Sequence, residues 1–204
     1  MSSLQAANLG STATLYFGYG SNLWLHQMSQ RCPTSEYLGV ARLNNYRWHI
    51  NSRGYANVVP LSSNSSIAAT SETPYTDVVY GLVYSLQQKD EDRLDVNEGV
   101  PIAYEKEMLE TDFWASADPD EKVDVDAEPK RREMLVYINH NLTSDHEPKE
   151  EYIYRMNMGI RDALKVGVPH EYVDKVMRKF IPEKDDEKVR KLAEKQALEF
   201  EDER

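Results

Sequence analysis

Between residues 77 and 86, Val78, Tyr80, Leu82 and Tyr84 alternate with Val79, Gly81, Val83 and Ser85. A strand that is apolar on both faces belongs inside a sheet, so 77–86 is predicted as the central strand. Residues 14–20 read as another strand, aromatic at first and then glycine-rich. Shorter strands are expected at 37–40, 46–50 and 57–60. A Ser/Asn loop at 62–66 follows, with pairing resuming at 67–70. Residues 104–114 alternate with charges and suit a sheet edge. Residues 115–133 read as an acidic loop ending in the basic patch Lys130-Arg131-Arg132, and 134–138 as a further strand.

The helical period shows in four places. Leu23, Leu25 and Met28 mark a helix capped by Ser21 or Asn22 and ended by Cys32-Pro33. Residues 87–97 form a short helix stopped near Gly99. Pro148 is placed to begin a helix running to about Val166, and Pro169 to begin another ending near Pro182. From Glu183 onward the chain is dense in charge. Val189, Leu192, Ala193, Gln196, Ala197 and Phe200 keep a thin apolar stripe, which suits either weak docking or a loose tail. Many strands with a few inserted helices, then a helical end, predict an α+β fold: a mixed or mostly antiparallel sheet closed into a small β-barrel with surrounding helices. The expected division is a disordered segment 1–13, one domain over 14–182 and a charged tail over 183–204.

Composition narrows the chemistry. The 204 residues are 40% hydrophobic and 29% charged, enough for a core beneath an ordinary surface, and the formal charge is −11. That balance opposes a nucleic-acid partner, whose phosphates need Lys and Arg, and an anionic membrane surface. No stretch reaches the roughly 20 apolar residues of a membrane helix. Cys32 is the single cysteine, and the five histidines form no H-x-x-x-H pair, so neither a disulfide within the chain nor a Cys-based metal cluster is expected. The start, MSSLQAANLGSTAT, has no basic and apolar leader pattern. Asn64-Ser65-Ser66 and Asn141-Leu142-Thr143 then read as chance matches to a glycosylation pattern, and the cytoplasm is the expected location.

The stretch LYFGYGSN, residues 15–22, turns from strand to helix through two glycines. Backbone N–H groups at a helix start can hold an anion, and Gly18 and Gly20 let backbone approach a ligand. Taken alone, the pattern fits a plain capped helix better, since capped helices after strands are common. Glu98, in LDVNEGV, taken alone is a solvated carboxylate at a helix end.

Four motifs in order change that reading. Tyr19-Gly20-Ser21-Asn22-Leu23 follows an aromatic strand. Glu98-Gly99-Val100 comes next, with Tyr104 shortly after. Pro148-Lys149-Glu150-Glu151-Tyr152 precedes Met158-Gly159, and Gly167-Val168-Pro169-His170-Glu171-Tyr172 closes the set. Over roughly 14–182 this resembles the γ-glutamylcyclotransferase family, in its γ-glutamyl dipeptide branch of eukaryotic type. The resemblance implies release of 5-oxoproline from γ-glutamyl compounds. It makes Glu98 the catalytic acid/base and places Tyr16, Phe17, Gly18, Tyr19, Gly20, Ser21, Tyr152 and Tyr104 around the substrate. The implied partner is a small γ-glutamyl molecule; the oligomeric state stays open, with a homodimer as one candidate. The leaving half stays open: the substrate is a γ-glutamyl amino acid or dipeptide, glutathione, an isopeptide-like γ-glutamyl amine or a glutathione adduct of a small metabolite. A catalytically silent γ-glutamyl-binding module is the alternative of a different class.

The implied reaction suits these residues. The substrate's own α-amine attacks its γ-carbonyl, so proximity is built in and neither an enzyme nucleophile nor a metal or cofactor is required. One carboxylate can take a proton and later return it. A Glu of ordinary pKa, about 4.3, is a weak base for an ammonium, so the site should dehydrate it. The 13 tyrosines against 4 phenylalanines offer hydroxyls on apolar rings. Tyr84, Tyr137 and Tyr154 are read as core or surface, and His26 as helix surface. Cys32 has no His–Asn/Asp pair in sequence context to make it a nucleophile.

Overall fold

The computed structural model describes residues 13–61 and 75–183. The expected loop at 62–66, the pairing at 67–70 and the stripe in the charged tail lie outside those residues. The strand read as central is β5, Val78–Leu86, buried along its whole length. It pairs antiparallel with β1, Thr14–Gly18, on one side and with β2, Glu36–Asn44, on the other. Beyond β2 come β6, Glu105–Ala115, and β7, Lys130–Ile138, and β7 returns to β1 through a parallel pairing of Tyr16 with Leu135. These five strands close a mixed barrel in the order β1-β5-β2-β6-β7, the α+β architecture expected from the sequence. A separate hairpin joins β3, Tyr46–Ile50, to β4, Ala56–Pro60.

Barrel closure corrects two expectations. β6 is an edge only in part: Asp112–Ala115 pair with β2 while Glu105–Phe113 pair with β7. The basic patch is not loop but the start of β7, with Arg131 set against Glu110 at 2.8 Å. That pair is exposed, so it contributes little.

Helices cover the barrel: α1, Leu25–Arg31; α2, Gln88–Asn97; α3, Glu150–Val166; and α4, His170–Lys175. The cap expected from Ser21 or Asn22 does not form. Ser21–Leu23 make a 3-10 turn instead, and α1 starts only at Leu25, whose N–H donates to Asp162 Oδ2 at 2.9 Å. The anion at that helix start is therefore the protein's own carboxylate. Pro148 lies two residues before α3, with extended Lys149 between them. The helix expected over 169–182 ends at Lys175, because Val176 leaves the α repeat and a 3-10 turn, Met177–Lys179, follows. That break buries Val173, Val176, Met177 and Ile181 together.

Gly159 explains the close packing of α3. A Cβ there would lie 2.8 Å from Leu23 Cβ and 3.0 Å from the backbone nitrogen of Trp24. Without that glycine, α3 could not press the 20–24 turn against the barrel mouth, and Tyr152, two turns earlier on the same helix, would lose its place.

Candidate active site

The site is built where β1 runs out. Tyr16 is the third residue of β1 and is 4% exposed; Tyr19 follows the strand at 6%. With Gly20 and Ser21 they form one wall of a pocket. The opposite wall comes from the end of α2, where Asn97 is the last helical residue and Glu98 the C-cap. Glu98 N–H donates to Leu94 O at 2.8 Å, which holds the carboxylate at the negative end of the helix dipole. Gly99, at φ +62°, stops the helix in the left-handed region. Its carbonyl accepts the N–H groups of Ile102 and Ala103, both at 2.8 Å. That tight turn returns the chain so that Tyr104 lines the same pocket as Glu98.

Hydroxyls fix the pocket's geometry. Tyr19 donates to Tyr137 O at 2.5 Å, and Tyr104 donates to Ala56 O at 3.0 Å. Tyr16 accepts from Asn22 Nδ2 at 2.8 Å. The Tyr152 hydroxyl accepts the N–H of Ser21 at 3.1 Å and of Ala56 at 3.3 Å. Beneath Ser21 lies a buried polar layer: Gln27 Nε2 donates to Ser21 Oγ at 3.0 Å and to Asn22 Oδ1 at 2.9 Å. Arg155, fully buried, reaches Ser21 Oγ at 3.4 Å.

The electrostatics follow from burial. Burial first, and the Glu98 charge second, push the Tyr16 and Tyr104 hydroxyls well above the usual tyrosine range. Tyr19 is raised by burial, then by Tyr104 and by Glu98. Tyr137 is raised by burial, then by its 2.7 Å hydrogen bond to Asp95, with Glu98 a smaller contributor. A half-buried carboxylate thus shares its pocket with four hydroxyls that stay protonated. Tyr19, Tyr104 and Tyr137 direct their protons to Tyr137 O, Ala56 O and Asp95, whereas Tyr16 accepts from Asn22 and can turn its proton toward a developing oxyanion.

The residues named from sequence divide plainly. Tyr16, Tyr19, Gly20, Ser21, Glu98, Tyr104 and Tyr152 line this one pocket. Phe17 and Gly18 do not: Phe17 is fully buried in the core, and Gly18 ends β1 with its carbonyl against Gly81. The anion site expected from free N–H groups at a helix start is also revised. The Ser21 N–H is held by Tyr152, and α1 begins farther on, at Asp162. Tyr137, read as core or surface, lines the pocket. Tyr84 is buried with its hydroxyl on Asn22 O at 2.8 Å, and Tyr154 packs on Trp24. His26 is exposed beside Trp24. The Cys32 thiol is fully buried outside the pocket and is pushed up to about 12, by burial first and Asp90 next, so it is no nucleophile at neutral pH.

Sequence reading missed Arg53, Tyr55, Ala56 and Asn97, all of which line the pocket. Arg53 and Tyr55 lie in the β3–β4 turn, and Ala56 opens β4. The Asn51 carboxamide oxygen accepts the N–H of Arg53 at 3.0 Å and of Tyr55 at 3.4 Å, while its Nδ2 donates to the Tyr104 hydroxyl at 3.5 Å. The signal was the turn sequence Asn51-Ser52-Arg53-Gly54. For Asn97 it was adjacency to Glu98.

No protein-family model matches the chain. Over 87 residues, 42% of its length, it is 33% identical to the gamma-glutamylcyclotransferases of Homo sapiens and Bos taurus. That match spans 44% of the length of each relative. A solved structure of a gamma-glutamyl cyclotransferase superposes with a TM-score of 0.62 at 23% identity, covering 90% of this chain and 99% of that one. A second, described as an uncharacterized protein of Homo sapiens, gives 0.63 at 22%, covering 89% and 98%. The fold is shared with these structures, and the likeness to γ-glutamylcyclotransferases read from the motifs is borne out.

Proposed function

We propose that this chain is a γ-glutamylcyclotransferase that releases 5-oxoproline and a free amine from small γ-glutamyl molecules. The observation that carries the proposal is Glu98 sharing a pocket with buried, protonated tyrosine hydroxyls. Glu98 takes a proton from the α-ammonium. The freed amine attacks the γ-carbonyl carbon, forming the ring C–N bond, and the carbonyl oxygen gathers negative charge. The Tyr16 hydroxyl, which accepts from Asn22, donates to that oxyanion. Glu98 passes its proton to the leaving nitrogen as the old C–N bond breaks, and a second proton lost by the ring nitrogen follows the same route. Both protons given up by the α-nitrogen end on the leaving amine, so total charge is unchanged.

The catalytic unit in this reading is 14–182, without a cofactor. The leaving group is an amino acid, the cysteinyl-glycine of glutathione, an amine or the cysteinyl-glycine conjugate of a glutathione adduct. This reading assigns the chain to glutathione metabolism in the cytoplasm, and the free, buried Cys32 fits a reducing compartment. No helix among the described residues is long and apolar enough to cross a membrane. The test is mass spectrometry on the purified chain with γ-Glu-Ala, γ-Glu-Cys, glutathione, γ-glutamyl-lysine and a glutathione S-conjugate. The proposal expects 5-oxoproline from at least one member. Binding of γ-Glu-Ala without any product would make the chain a silent γ-glutamyl binder instead.

A further inference from the structure

Among the described residues, seven buried ones carry a carboxamide, and six of them are satisfied at both ends: Asn22, Gln27, Asn51, Asn57, Asn139 and Asn157. The seventh is Asn97. It is 6% exposed, it lines the pocket beside Glu98, and neither its Oδ1 nor its Nδ2 has a hydrogen-bond partner among the described residues. A buried amide with both atoms unmet is costly, and native structures keep few of them without a purpose.

We infer that the Asn97 carboxamide binds the amino-acid head of the substrate, its Oδ1 accepting from the α-ammonium and its Nδ2 donating to the α-carboxylate. The inference rests on the cyclotransferase reading and deepens it. Both head groups sit on one carbon, so a single carboxamide can meet them as a donor–acceptor pair. Both bonds involve a charged partner, the stronger kind. Asn97 and Glu98 are consecutive, so an ammonium held on Oδ1 lies next to the carboxylate that must deprotonate it. Binding therefore satisfies the amide and positions the nucleophile together.

The test compares the full-length wild type with Asn97→Ala and Asn97→Leu by calorimetry, turnover and thermal unfolding. The ligands are γ-Glu-Ala, glutaryl-alanine, which lacks the α-amine, and 4-aminobutanoyl-alanine, which lacks the α-carboxylate. Asn97→Ala should weaken γ-Glu-Ala binding roughly tenfold to a hundredfold, with a smaller loss on each analogue because one partner is already missing. Asn97→Leu should lose the same affinity yet unfold at an equal or higher temperature, since it removes an unsatisfied buried amide. A purely structural asparagine would move the other way. Equal losses on all three ligands, or normal KM in Asn97→Ala from an active wild type, overturn this inference alone. A wild type that neither binds nor converts any γ-glutamyl compound overturns the cyclotransferase reading with it.

Discussion

The hydroxyl oxygen of Tyr152, on α3, accepts two backbone N–H groups from separate segments, Ser21 at 3.1 Å and Ala56 at 3.3 Å. One side chain therefore ties the β1 turn and the β3–β4 hairpin together across the pocket. Tyr152→Phe should leave both donors unmet and cost about 1–3 kcal/mol of stability, with kcat/KM falling as the two walls lose their common anchor. Denaturant midpoints and steady-state kinetics check this. A Phe variant equal to wild type in both would show that the hydroxyl holds nothing.

Gly20 lies under that anchor. A Cβ there would stand 2.7 Å from the Tyr152 hydroxyl and 3.2 Å from Ala56 Cβ. Gly20→Val should overpack the pocket, destabilise the chain by about 1–3 kcal/mol and abolish γ-Glu-Ala binding. Calorimetry showing wild-type affinity would contradict the close-approach account of this glycine.

Much of this was legible in the sequence. The two-faced apolar run at 78–86 announced the central strand, and the order of elements announced the α+β barrel. The motifs led to Glu98, Tyr104 and Tyr152, which do share a pocket. What failed was local inference about partners. Ser21 looked like a cap with free N–H groups nearby, but the atoms that occupy this region come from Tyr152 and Asp162, more than 130 residues away in sequence. Phe17 and Gly18 belong to the loop by sequence, yet strand alternation turns Phe17 into the core while Tyr16 faces the pocket. Arg53 and Asn97 carry no motif. Their roles come from how the hairpin and the end of α2 converge, which periodicity does not encode.

Burial raises Tyr16, Tyr19, Tyr84 and Tyr104 well above the ordinary tyrosine value of 10.0. Their folded values exceed their unfolded ones, so their stabilisation is fully present below about pH 10 and is lost as pH rises through the folded values. In that window the unfolded chain has shed protons that the folded chain keeps. A spectrophotometric titration of the 13 tyrosines should show these four silent until the chain unfolds. Full ionisation near pH 10 with the fold intact would contradict the burial.

Cys32 should resist iodoacetamide in the folded chain at neutral pH and react on unfolding, because its buried thiol is held up to about 12. Cys32→Ala should leave kcat/KM unchanged. A dead variant that still folds would return the thiol to the mechanism.

The central claim is that Glu98 moves the protons of cyclisation. Glu98→Gln keeps size and hydrogen-bonding capacity but removes the charge and the basicity. The decisive measurement is 5-oxoproline release from γ-Glu-Ala by wild type and Glu98→Gln, followed by mass spectrometry, with calorimetry confirming that both bind the substrate. The expected result is product from wild type and none above background from a folded, binding-competent variant. Product at the wild-type rate from Glu98→Gln would remove Glu98 from the chemistry and the account with it.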